Sequence, residues 1–116
     1  VSKAVQYALQ QMGMTFTLVS RYPNAHVIGY DNITEQVIQS NSVVVNCTPL
    51  GMLPDIYSLP PIPYEYITDR HLLYDCVYNP ERTAFLREGE AKGARIVNGK
   101  DMLYLQADAA YEIWKN

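Results

Sequence analysis

The chain has 116 residues, a formal net charge of −3 at neutral pH and a sequence pI near 5.2, the size of one domain able to bury a core without disulfides or metal. Its nine basic residues are scattered, whereas a nucleic-acid footprint clusters Lys and Arg on one face. No apolar stretch approaches the ~20 residues needed to cross a bilayer, and the amino terminus lacks a basic-then-apolar signal, so the expectation is a cytoplasmic protein with neither nucleic-acid nor membrane partners.

Residues 3 to 12 place Ala4, Val5, Ala8, Leu9 and Met12 at helical spacing, with Gly13 as the stop. Residues 15 to 20 read as a strand, 26 to 28 as a short second one, and 34 to 40 as a helix capped by Thr34 with Val37 and Ile38 facing inward. The β-branched run at 43 to 47 reads as a strand buried on both faces. Prolines between residues 49 and 63 remove backbone donors, which predicts an ordered loop with a turn near Pro54 and Asp55. A strand at 72 to 77, a helix at 81 to 92 ended by Gly93, a strand at 95 to 97 and a final helix from about 100 to 114 complete the order. Strands alternating with helices of ~10 residues predict an α/β fold, a doubly wound parallel sheet with helices on both faces.

Cys47 and Cys76 each close an apolar strand and read as buried thiols acting as small hydrophobes. His26 and His71 precede strands and read as surface or edge residues. Neither residue type has zinc spacing, and no nucleophile or phosphate-loop motif occurs, which disfavours metal and covalent catalysis. The triplets Asn32-Ile33-Thr34 and Asn46-Cys47-Thr48 match a glycosylation acceptor, a match without weight unless a secretory signal precedes it.

Ligands of such folds sit just past the carboxyl ends of strands. Three polar groups occupy those positions: Ser20 and Arg21; Asn46, Thr48 and Pro49; and Asp75 with Tyr78. Taken alone, Arg21 is an exposed cation or a phosphate partner, Asn46 and Thr48 shape a turn, Asp75 caps one, and Tyr78 packs its ring. In the final helix Met102, Gln106, Ala109, Ala110 and Ile113 share a stripe. The amide of Gln106 therefore needs a partner, whether a backbone carbonyl, a water or a ligand.

Six segments taken in order carry a resemblance: Ser2-Lys3-Ala4-Val5, Val19-Ser20-Arg21, the run from Val43 through Thr48-Pro49-Leu50-Gly51-Met52, Asp75-Cys76-Val77-Tyr78-Asn79-Pro80, Thr83-Ala84-Phe85-Leu86, and Asn98-Gly99-Lys100-Asp101-Met102-Leu103 on to Gln106-Ala107. Together they resemble the carboxyl-terminal NADP-binding domain of shikimate dehydrogenase, over nearly the whole chain. The resemblance implies a three-layer, Rossmann-like doubly wound sheet and a single NADP-binding domain over residues 1 to 116. It implies that Ser20, Arg21, Thr48, Pro49, Val77, Gly99 and Met102 line the cofactor site, with Arg21 on the adenosine phosphate and Gly99 and Met102 against the nicotinamide. Tyr78 and Gln106 would reach the substrate.

The implied activity is reversible NADP-dependent reduction of 3-dehydroshikimate to shikimate in aromatic amino-acid biosynthesis. In the family a Lys and Asp pair of an amino-terminal domain moves the proton, so no catalytic residue is assigned in this chain and Lys3 and Asp75 are not substitutes. Alternatives are a quinate/shikimate dehydrogenase using NAD, a related small-hydroxyacid oxidoreductase, or a cofactor-binding module without catalysis of its own. Arg21, with no Asp or Glu between residues 15 and 25, weighs against NAD. Where many family members have Asn-Arg-Thr, this chain has Ser20-Arg21-Tyr22.

In the family a strand and a glycine turn precede the segment resembling Ser2-Lys3-Ala4. The expectation is therefore a sheet truncated at its amino terminus, whose strands at 15 to 20 and 43 to 47 either close on each other or recruit a strand from elsewhere. Weak NADP binding and self-association would follow.

Overall fold

The structure is a computed structural model that describes residues 2–13, 15–77 and 79–99. Helix α1 (Ser2–Gln11) is followed by β1 (Leu18–Val19), β2 (Val27–Ile28), α2 (Glu35–Ser40), β3 (Val43–Asn46), β4 (Leu72–Asp75), α3 (Ala84–Ala91) and β5 (Arg95–Val97). Short 3-10 turns at Tyr30–Asn32 and Tyr64–Tyr66 were not foreseen from the sequence. The final helix expected at 100 to 114 lies outside the described residues.

Local chemistry sets the helix limits. The Thr34 hydroxyl accepts from Val37 N–H at 3.3 Å, the cap expected for α2. Helix α3 starts three residues later than the expected 81, because Thr83 is its cap and accepts from Leu86 N–H at 3.3 Å. At its end Gly93 adopts φ 85°, and Ala94 N–H returns to the Gly89 carbonyl at 3.0 Å.

All the strand ladders are parallel, as expected, but the described strands form two sheets. β1 pairs with β2, and β4 lies between β3 and β5. The edges of β1 and β3 do not pair with each other. Between them lies a cavity of about 410 Å³ walled by Leu9 of α1, Leu18, Val19, Val43, Val45 and Phe85. Of the two outcomes expected for these bare edges, direct closure is not the one adopted. β1 covers two residues where six were expected, because its partner β2 offers only Val27 and Ile28 to pair with.

Burial of β3 also departs from the expectation of cover on both faces. Val43 is exposed, Val44 and Val45 are half-buried, and only Asn46 is buried. The face shared by Val44, Leu73 and Ile96 is the packed one, because α3 lies across β4 and β5 and presents Phe85, Leu86 and Gly89 to it. Ile38, Ile67 and Ala94 complete this core. A Cβ at Gly89 would meet Leu73 Cδ2 at 2.5 Å, so glycine sets how closely α3 approaches the sheet.

His71 also departs from the expectation of the sequence. Expected at a surface or edge, it is buried, and its ring joins two elements. Thr68 N–H donates to Nδ1 at 3.0 Å, so Nδ1 is the acceptor and Nε2 carries the hydrogen donated to the Ile38 carbonyl at 2.9 Å. The ring thus adds a second donor to an end carbonyl of α2 that also accepts from Asn41 N–H at 3.2 Å. His26 is exposed, as expected.

Phe85 is 1% exposed and meets Tyr64 edge-on at 6.2 Å. Phe85→Ala should destabilise the chain by about 3 to 5 kcal/mol, read as a lower urea midpoint at unchanged slope.

Candidate functional site

The register that aligns Asn46 with Asp75 puts two polar side chains side by side at the carboxyl ends of β3 and β4, both on the packed face. Burial of a carboxylate demands donors, and three converge on Asp75. Thr83 Oγ1 donates to Oδ2 at 2.6 Å, while Oδ1 accepts from Val77 N–H at 2.9 Å and from Asn46 Nδ2 at 3.1 Å. Burial raises the Asp75 carboxyl above its ordinary range, and the hydrogen bonds from Thr83, Val77 and Asn46 pull it back.

The Asn46 amide passes this constraint into the following turn. Its Nδ2 also donates to the Leu50 carbonyl at 3.3 Å, and its Oδ1 accepts from Thr48 N–H at 3.0 Å and from Thr48 Oγ1 at 2.6 Å. Leu50 N–H donates in turn to Thr48 Oγ1 at 3.2 Å. Gly51, at φ 96°, donates to Ser58 Oγ at 2.9 Å, and a Cβ there would lie 3.3 Å from Thr83 Cβ. The loop is thereby packed against the cap of α3.

Three of the residues expected in a binding site are drawn together by this network. Thr48 hangs from Asn46, Val77 from Asp75, and Gly99 N–H donates to the Val77 carbonyl at 3.3 Å. A Cβ on Gly99 would overlap the Cys76 carbonyl oxygen, so only glycine allows this backbone approach. Pro49 is exposed beside Thr48. Ser20 and Arg21 follow β1 of the other sheet. Ser20 Oγ accepts from Tyr22 N–H at 3.1 Å, and Arg21 is exposed at the carboxyl end of β1, where its charge opposes the burial that raises the Tyr30 phenol. Tyr78, Met102 and Gln106 lie outside the described residues.

Sequence reading gave no site role to Asp75 and Thr83 and treated Asn46 as a turn former. The available signal was positional: Asn46 and Asp75 end neighbouring strands, and Thr83 stands one residue before an apolar helical stripe. Cys47 and Cys76, expected as buried hydrophobes, are free and only half-buried. Among the described residues no group of three or more His, Cys, Asp or Glu is placed to hold a metal, and no helix is long and apolar enough to cross a membrane.

No family model matches the chain. The shikimate dehydrogenase (NADP(+)) of Salinibacter ruber is 47% identical over 66% of this chain and 27% of its own length. Crystal structures agree: shikimate dehydrogenase from Aquifex aeolicus superposes with a TM-score of 0.74 at 30% identity, covering 97% of this chain and 44% of that one. The chain is homologous to part of a shikimate dehydrogenase. The Thermus thermophilus shikimate 5-dehydrogenase in complex with NADP(H) and shikimate superposes with a TM-score of 0.72 at 28% identity over 97% of this chain and 44% of that one. The chain spans about a quarter of the length of the curated shikimate dehydrogenases it matches.

Because the folded value of Asp75 is raised, the folded chain holds more proton than the unfolded chain between about pH 3.9 and that value. The contribution of Asp75 to stability is therefore greatest below this window and falls as pH rises through it. Thr83→Val removes one of the opposing donors and should move the Asp75 midpoint further up, at a cost of about 2 kcal/mol at neutral pH, whereas Thr83→Ser should keep both values. Carboxyl NMR titration and urea unfolding check the pair.

Proposed function

We propose that residues 1 to 116 form the NADP-binding domain of a cytoplasmic shikimate dehydrogenase, acting in the reduction of 3-dehydroshikimate to shikimate in aromatic amino-acid biosynthesis. The observation that carries this reading is the Asn46–Asp75–Thr83 network, which fixes Thr48, Val77 and Gly99 at the carboxyl ends of β3 and β4, where α/β folds bind ligands. Its homology supports the choice of cofactor.

The residues present fit a phosphorylated dinucleotide. Arg21 is exposed and makes no ion pair among the described residues, so its guanidinium is available to a 2′-phosphate, with Ser20 beside it. Thr48 and Pro49 would flank the nicotinamide ribose, and Val77, Gly99 and Met102 would line the ring. NADPH supplies the hydride when bound. The work of this chain is to orient the cofactor and exclude water, while Tyr78 and Gln106 hold the hydroxyls of shikimate. No residue of this chain is assigned the proton transfer.

Arg21→Ala, made in a full-length enzyme carrying this sequence, should weaken NADP about ten- to a hundredfold and leave NAD nearly unchanged, as measured by calorimetric titration. Equal loss for both cofactors would remove Arg21 from the site.

The cavity between β1 and β3 favours a second statement about the chain by itself. Strand edges that find no partner among the described residues, beside an apolar cavity, recruit another chain, so the isolated 116-residue protein self-associates and holds NADP weakly. Light scattering should give a mass above the monomer, and cofactor titration should give weaker binding than the full-length enzyme. A monomer with full affinity would refute this.

A further inference from the structure

The β3–β4 ladder runs one step beyond its last paired residues. Cys76 N–H donates to the Asn46 carbonyl at 3.0 Å, which sets Cys47 and Cys76 opposite each other on the same face as Val45 and Tyr74. Directly opposed residues of neighbouring strands lie about 4.8 Å apart, within the roughly 4.4 to 6.8 Å between Cα atoms that a disulfide spans. Both cysteines are free and half-buried, and Cys47 also borders the cavity beside β3. We propose that Cys47 and Cys76 form an exchange-reactive thiol pair that small-molecule disulfides oxidise to an intramolecular disulfide between the ends of β3 and β4.

Their environment assigns the order of events. Hydrogen bonding between the two neighbouring thiols lowers the Cys47 thiol while raising Cys76, against burial and the nearby Asp75 at Cys47. Cys47 loses its proton and attacks one sulfur of the incoming disulfide. A bond forms between that sulfur and Cys47, the reagent's own S–S bond breaks, and one small thiolate leaves. Cys76 then loses its proton to solvent and attacks the Cys47 sulfur, expelling the second small thiolate. Two protein thiols and one disulfide become one protein disulfide and two small thiols, with two electrons passing to the reagent. The pair stands on the ladder geometry and does not depend on the cofactor reading.

The probe is glutathione disulfide, added to the reduced chain at neutral pH, followed by acid quenching, alkylation in denaturant and peptide mapping. The wild-type chain is expected to lose two hydrogens, retain no glutathione and yield one cross-linked peptide containing Cys47 and Cys76. Cys76→Ser should trap glutathione on Cys47, and Cys47→Ser should react about tenfold more slowly. Repeating the reaction in urea separates native proximity from chance closure, since the unfolded wild-type chain should instead accumulate glutathione adducts. Stable glutathione on either thiol of the folded wild-type chain, both thiols still alkylated after exposure, or equal closure in urea would each overturn the pair.

Discussion

A carboxylate with no exposed surface organises this molecule. Asp75 can remain in the interior only while Thr83, Asn46 and the Val77 N–H all reach it, and each of those groups belongs to a different piece of the chain. Thr83 caps α3, Asn46 ends β3, and Val77 leaves β4. Losing one partner would strand a buried charge, which costs more than the partner's own hydrogen bond contributes. The carboxylate therefore sets the β3–β4 register and the position of α3 together.

The same constraint decides an orientation that sequence cannot specify. An amide has one end that donates and one that accepts, and Asp75 takes the donating end of Asn46. The accepting end is left for Thr48, so the turn after β3 folds around Oδ1. A strand end chosen to neutralise a buried acid thus determines where a loop hydroxyl stands. Gly51 continues the chain of consequence, because its positive φ and missing Cβ let the loop rest on Thr83.

Much of the framework was legible because it is written in local chemistry. Thr34 before a short amphipathic stretch and Gly93 after a longer one mark helix limits, and the three valines at 43 to 45 mark a strand. Contacts between distant residues were not legible. Thr83 lies eight residues from Asp75 and Asn46 twenty-nine, and no periodic pattern links such positions. His71 was misplaced for the same reason, since its burial depends on the Ile38 carbonyl thirty-three residues away. The expectation that β3 is covered on both faces failed because a β-branched run reports a preference for burial, while the cover itself must come from other segments.

The division into two sheets ties sheet completion to ligand affinity. Ser20 and Arg21 take their positions from β1, whereas Thr48 and Val77 take theirs from β3 and β4, and the cavity lies between the two sets. Under the proposed function one dinucleotide must touch both sets at once, so its affinity depends on how firmly the two sheets hold a common geometry. Any strand that fills the cavity and pairs with both edges would reduce the ordering that the cofactor must otherwise impose. Linkage makes the effect reciprocal: a cofactor bound more tightly to the completed sheet stabilises the filling strand by the same factor. Affinity and assembly in this chain are then two readings of one coupling, set by the edges of β1 and β3 that face the cavity and have no strand partner among the described residues.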